Sequence, residues 1–192
     1  MHNHEEFNKE KTYFGFWVYL MTDLLMFATL FAAYSVLSGN TFGGPSARDI
    51  FSLPFALTET LILLTSSFTS GLGVLAAQQN KKTQVFIWFG ITFLLGASFL
   101  AMELSEFTRL FADGNGFQRS AFLSSFFSLV GTHGLHIASG LLWMIILFAY
   151  IIRRGLTKSA VQKLTLLSLF WHFLDIVWIF IFTIVYLFGG IY

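Results

Sequence analysis

The chain has 192 residues, of which 56% are hydrophobic and only 11% charged, with a formal net charge of +1 and no cysteine. A soluble domain carries about 25% charged residues, so this composition cannot build a water-facing surface and places the chain in a membrane. The near-zero charge offers no field for nucleic acid. The missing cysteines exclude disulfides, thiolate metal sites, iron–sulfur clusters and covalent haem attachment.

In chain order, the polar tail "MHNHEEFNKEK" is mixed in charge, and the apolar run behind it is too long for a signal peptide. It predicts a retained anchor, with His2 and His4 solvated. The first run, Tyr13–Leu37, carries Asp23; the loop "SGNTFGGPSARD" (Ser38–Asp49) is turn-rich, and Pro54 suits the first turn of the next helix. The second run, Phe55–Ala77, carries Glu59, and the third, Val85–Leu104, carries Glu103. The fourth, Ala121–Ile152, carries His133 and His136, and the fifth, Leu164–Gly190, carries His172 and Asp175. Each run reaches the ~20 residues that cross ~30 Å of hydrocarbon as a helix. None alternates with the period of two that a membrane barrel requires. The expectation is an all-α, polytopic membrane protein: five transmembrane helices forming a single domain over residues 1–192.

Lysine and arginine placement predicts the orientation. Lys9 and Lys11, Lys81 and Lys82, and Arg153, Arg154, Lys158 and Lys163 share one side, eight of the eleven basic residues. Arg48, Arg109 and Arg119 fall on the other. The positive-inside rule then puts the N-terminus in the cytoplasm and Tyr192 outside.

An aspartate at a helix centre costs about 2.5–3.5 kcal/mol on insertion scales, a burden relieved by turning the group inward to a partner. Helical geometry groups these residues. His133 and His136 lie about 60° apart with Gly140 between them, while Gly131, Gly134 and Ala138 gather opposite, where a backbone can approach closely. On the fifth helix, Trp171, Asp175 and Trp178 form one face flanked by His172; on the first, Tyr19, Asp23, Met26 and Tyr34 fall together. Three readings fit: hydrogen-bonded bracing between helices, a proton or ion route, and a metal or haem site built from His133, His136, His172 and Asp175.

"GTHGLHIASGLLWM" (Gly131–Met144), followed by "FWHFLDIVWIFIFTIVYLFGG" (Phe170–Gly190), resembles the paired signature of subunit III of haem–copper respiratory oxidases. "FGFWVYLMTDLLMFATLFAAY" (Phe14–Tyr34) is similar to the helix carrying that family's buried carboxylate, with Asp23 where mitochondrial-type members have glutamate. "LSEF" (Leu104–Phe107) places Glu106 in the family's motif, and the likeness covers Phe14 to Gly190. Mitochondrial-type members have seven helices. The five-helix form here, with "GGPSARDIFSLPFALTET", "RRGLT" and "LSLFWHFLDIVW", resembles the bacterial quinol-oxidising branch.

The resemblance implies a non-catalytic accessory subunit of a bacterial inner-membrane oxidase. It would pack on subunit I, which holds the haems and copper, in a complex with subunits II and IV, and would hold lipid. It implies no catalytic, cofactor-binding or metal-binding residue in this chain. Asp23, Glu59, Glu106, His133, His136, His172 and Asp175 then serve structure, lipid contact or proton support. The competing expectations are a self-contained transporter or channel, against which stands the absence of repeat symmetry, and an independent haem-binding oxidoreductase.

Overall fold

The computed structural model describes residues 2–41, 43 and 52–189, with side chains from Glu10 onward. The side chains of His2, His4 and Lys9, as well as Arg48, most of the first loop and Tyr192, lie outside the described residues.

Five helices follow one another: α1 (His2–Leu37), α2 (Leu53–Gln78), α3 (Lys82–Ala112), α4 (Ala121–Arg154) and α5 (Lys158–Ile181). All five are long and apolar enough to cross a membrane, as the apolar runs predicted, and no strand occurs among the described residues. α5 passes directly into a π-helical segment, Phe182–Phe188, which an unbroken apolar run does not announce. α3 continues past Leu104 to Ala112, and α5 begins before Leu164, at Lys158. Hydropathy senses the hydrocarbon, whereas the backbone ladder continues into the interface. The 31 residues of α3 rise about 46 Å, well beyond a hydrocarbon core of ~30 Å.

Local chemistry sets the helix ends. Pro54 sits in the first turn of α2, where its missing N–H costs nothing. Ser120 accepts from the Leu123 N–H at 3.2 Å, and Thr157 accepts from the Ala160 N–H at 3.2 Å, capping α4 and α5. Gly155 closes α4 at φ +75°, a conformation that glycine adopts without a Cβ penalty.

α2, α3, α4 and α5 pack in sequence, and α2 closes on α5, so the four form a ring; α1 leans on α4 and α5 from outside. α1 buries a single stripe, Leu20, Asp23, Phe27 and Tyr34. This differs from the expected face: Tyr19 and Met26 are exposed, because hydropathy cannot separate lipid-facing from protein-facing apolar residues. Elsewhere the helices meet at glycines. A Cβ on Gly73 would lie 2.7 Å from the Phe89 ring, which fixes how closely α2 and α3 approach.

Candidate functional site

The polar groups that looked expensive in sequence sit on contacts between helices. The densest set joins α2 to α5. Trp178 Nε1 donates to Thr60 Oγ1 at 3.0 Å, Trp171 Nε1 to Ser66 Oγ at 2.9 Å, and Ser70 Oγ to Ser168 Oγ at 2.9 Å. As the α2 partner advances from 60 to 70, the α5 partner retreats from 178 to 168. The two helices are therefore antiparallel and locked in one register. Midway, His172 Nδ1 pairs with Ser67 Oγ, and His172 Nε2 lies 3.4 Å from Ser168 Oγ. Asp175, 6% exposed, hydrogen-bonds the same Ser67, while its Oδ1 has no partner among the described residues.

His172 and Asp175 thus face α2 and not the His133/His136 side of α4. The side of α5 turned to α4 is filled instead by indole rings. The Trp178 ring stacks on His133 at 5.3 Å between centroids, and Phe99 meets Trp178 edge-on at 4.7 Å. Gly140, between the two histidines on the wheel, makes room for Trp171: a Cβ there would lie 2.9 Å from the indole.

His133 and His136 have different surroundings despite their spacing. His133 is fully buried among Phe27, Phe99 and Trp178, and neither ring nitrogen has a partner among the described residues. His136 donates from Nδ1 to the Thr132 carbonyl at 2.7 Å, which turns Nε2 towards Asp23 Oδ2 of α1 at 3.7 Å. That contact is where α1 meets the ring, beyond hydrogen-bond distance, and Asp23 Oδ2 has no hydrogen-bond partner among the described residues.

The acidic residues of α2 and α3 collect towards the other end of the bundle. Tyr186, on the π-helical segment, donates to Glu106 Oε2 at 2.9 Å. Glu59 and Glu103 lie close enough to Glu106 and Tyr186 to interact electrostatically. All four carboxyl oxygens of Glu59 and Glu103 lack a partner among the described residues. π-helical turns often mark functional positions, and this one places the only hydroxyl that the described contacts bring to the cluster. Among the described residues no three His, Asp or Glu side chains are arranged to hold a metal ion.

Sequence reasoning found the acids and imidazoles but missed the hydroxyls that bond across the helices, Thr60, Ser66, Ser67, Ser70, Thr92 and Ser168, of which Ser67 and Ser168 meet His172. Thr69 and Thr92 join α2 to α3, their hydroxyls 2.8 Å apart. The signal was present in "TSSFTSG", where hydroxyls recur at helical spacing inside an apolar run.

A sequence profile of the family described as Cytochrome c oxidase subunit III matches residues 1–190. The chain is 57% identical over 190 residues to cytochrome bo(3) ubiquinol oxidase subunit 3 of Pseudomonas aeruginosa, covering 99% of this chain and 91% of that protein. It is 56% identical over 180 residues to the subunit of the same name in Pseudomonas putida, covering 94% and 87%. It is also 46% identical over 177 residues to cytochrome c oxidase subunit 3 of Bacillus sp. strain PS3, covering 92% and 86%. With five apolar helices and its histidine-bearing helices packed as one bundle, the chain belongs to the cytochrome c oxidase subunit III family.

Proposed function

We propose that the chain is the accessory subunit III of a cytochrome bo-type ubiquinol oxidase in a bacterial inner membrane. The observation that carries this is the 57% identity to a cytochrome bo(3) ubiquinol oxidase subunit 3 over 99% of the chain. In this reading all 192 residues form one membrane domain that packs on subunit I, alongside subunits II and IV, and contacts lipid. The haems, copper and proton pump belong to subunit I. The basic residues Lys81, Lys82, Arg153, Arg154, Lys158 and Lys163 put the α2–α3 and α4–α5 turns in the cytoplasm and the C-terminus outside.

The buried polar residues then act as braces. His172 and Asp175 share Ser67 of α2, Asp23 meets His136, and Glu106 accepts a hydrogen bond from Tyr186. Glu59 and His133 are buried without a hydrogen-bond partner among the described residues, and His133 braces only through its stacking on Trp178. Purifying the tagged chain from its host in mild detergent tests the reading. Haem absorbance and larger membrane subunits should accompany it, and a colourless chain recovered alone would overturn the assignment.

A further inference from the structure

The seam between α3 and α4 is open to the bilayer side. A groove of about 520 Å³ is walled by Leu100, Leu104 and Phe107 of α3 and by Phe127, Leu135 and Ala138 of α4. Its volume falls within the ~300–1,000 Å³ of small-molecule sites. At its floor lies Glu103, 2% exposed, with neither carboxyl oxygen partnered among the described residues. The carboxyl rests over Gly134, where a Cβ would stand 3.1 and 3.2 Å from its two oxygens. Glycine at that point is what leaves the carboxyl room on the seam.

The groove is selective in its chemistry. No Lys, Arg or His is among its described lining residues, so it holds nothing to pair with a lipid phosphate. The hydroxyls of Ser128 and Thr132 already donate, to the carbonyls of Ser124 at 2.8 Å and Ser128 at 2.6 Å, and offer an occupant only lone pairs. Glu103 can accept from a hydroxyl and, when protonated, donate to a carbonyl. Phe107 and Phe127 meet edge to face at 4.9 Å beside it and present aromatic surface. Glu103 stands about 32 Å along α3 from Lys82, near the far edge of a ~30 Å hydrocarbon core. From there the groove runs inward past Leu100 and Ala138. A neutral, flat, hydroxylated head with an apolar tail satisfies every one of these features.

We propose that the α3–α4 groove binds a quinol, with a ring hydroxyl on Glu103, the ring against Phe107 and Phe127, and the tail along Leu100 and Ala138. The step is binding alone and transfers no electron. It stands on the groove and not on the oxidase assignment, and the test keeps the two apart, since haem co-purification reports only the latter.

The experiment photolabels membranes containing the full complex with an azido-ubiquinone analogue and maps the labelled peptides. Label should appear on α3 or α4 peptides bordering the groove and be displaced by decylubiquinol. Glu103→Leu should lower it about tenfold, and Ala138→Phe, which fills the channel without touching the carboxyl, should do the same. Glu103→Gln should retain most of it. Haem content and subunit stoichiometry report that each variant still assembles. Equal labelling in all variants, no label on these peptides, or displacement by phosphatidylethanolamine but not by decylubiquinol overturns the proposal.

Discussion

Trp171 touches three helices besides its own. Its indole N–H reaches Ser66 of α2 at 2.9 Å, and its ring fits against Gly96 of α3 and Gly140 of α4. In a membrane, helices gain little by leaving lipid, so close packing and such bonds carry the association. Interhelical hydrogen bonds there average about 0.6 kcal/mol and reach about 1.7. Ser66→Ala strands a buried indole donor, so it should cost about 1 kcal/mol, towards the upper end of that range. A double-mutant cycle with Trp171→Phe, read by SDS-driven unfolding in bicelles, isolates the bond. A coupling energy of zero would show that the contact contributes nothing. At this scale the sequence was half legible. A histidine or aspartate in an apolar run announces itself through its cost, as His172 and Asp175 did. A serine such as Ser67 does not, because it is inexpensive wherever it lies and gains meaning only from its partner.

At the scale of helices, α5 is the central element, hydrogen-bonded to α2 on one side and packed through aromatic rings on α3 and α4 on the other. Small residues set those distances. A Cβ on Gly96 would come within 2.7 Å of Trp171, and one on Gly140 within 2.9 Å. Gly140→Val should therefore destabilise by about 1–3 kcal/mol through overpacking, lowering the thermal midpoint of the detergent-solubilised complex. Combining it with Trp171→Leu, which removes the ring, should recover part of that loss. If the double variant is no better than the sum of the single ones, the ring is not what Gly140 accommodates. The number of helices was legible because each must present an apolar length set by the bilayer. The continuation of α3 to Ala112 and the π-helical turn at Phe182–Phe188 were not, since both depend on backbone bonding that hydropathy does not register. The small-residue stripe was recognised, but its use was not: Gly134 admits a carboxyl from α3 rather than a second backbone.

For the whole molecule, the two short turns α2–α3 and α4–α5 lie on one side of the bundle because consecutive helices alternate in direction. Lys81, Lys82, Arg153, Arg154, Lys158 and Lys163 cluster there, whereas the last turn of α3 and the α3–α4 connection bring only Arg109 and Arg119 to the other side. Each cationic residue near an anionic cytoplasmic leaflet is favoured by about 1 kcal/mol, so the imbalance strongly favours the basic turns inside. The chain has no cysteine, which makes single-cysteine labelling clean. Gln118 in the α3–α4 connection, Lys82 at the start of α3 and Lys158 at the start of α5 are all exposed. In intact spheroplasts, Gln118→Cys should react with a membrane-impermeant maleimide, whereas Lys82→Cys and Lys158→Cys should react only after lysis. The converse pattern would overturn this orientation and put Glu103 nearer the cytoplasmic edge than the outer one. Haem co-purification with each variant ensures that the labelled chain is the assembled one, so the direction of insertion is read from the complex itself.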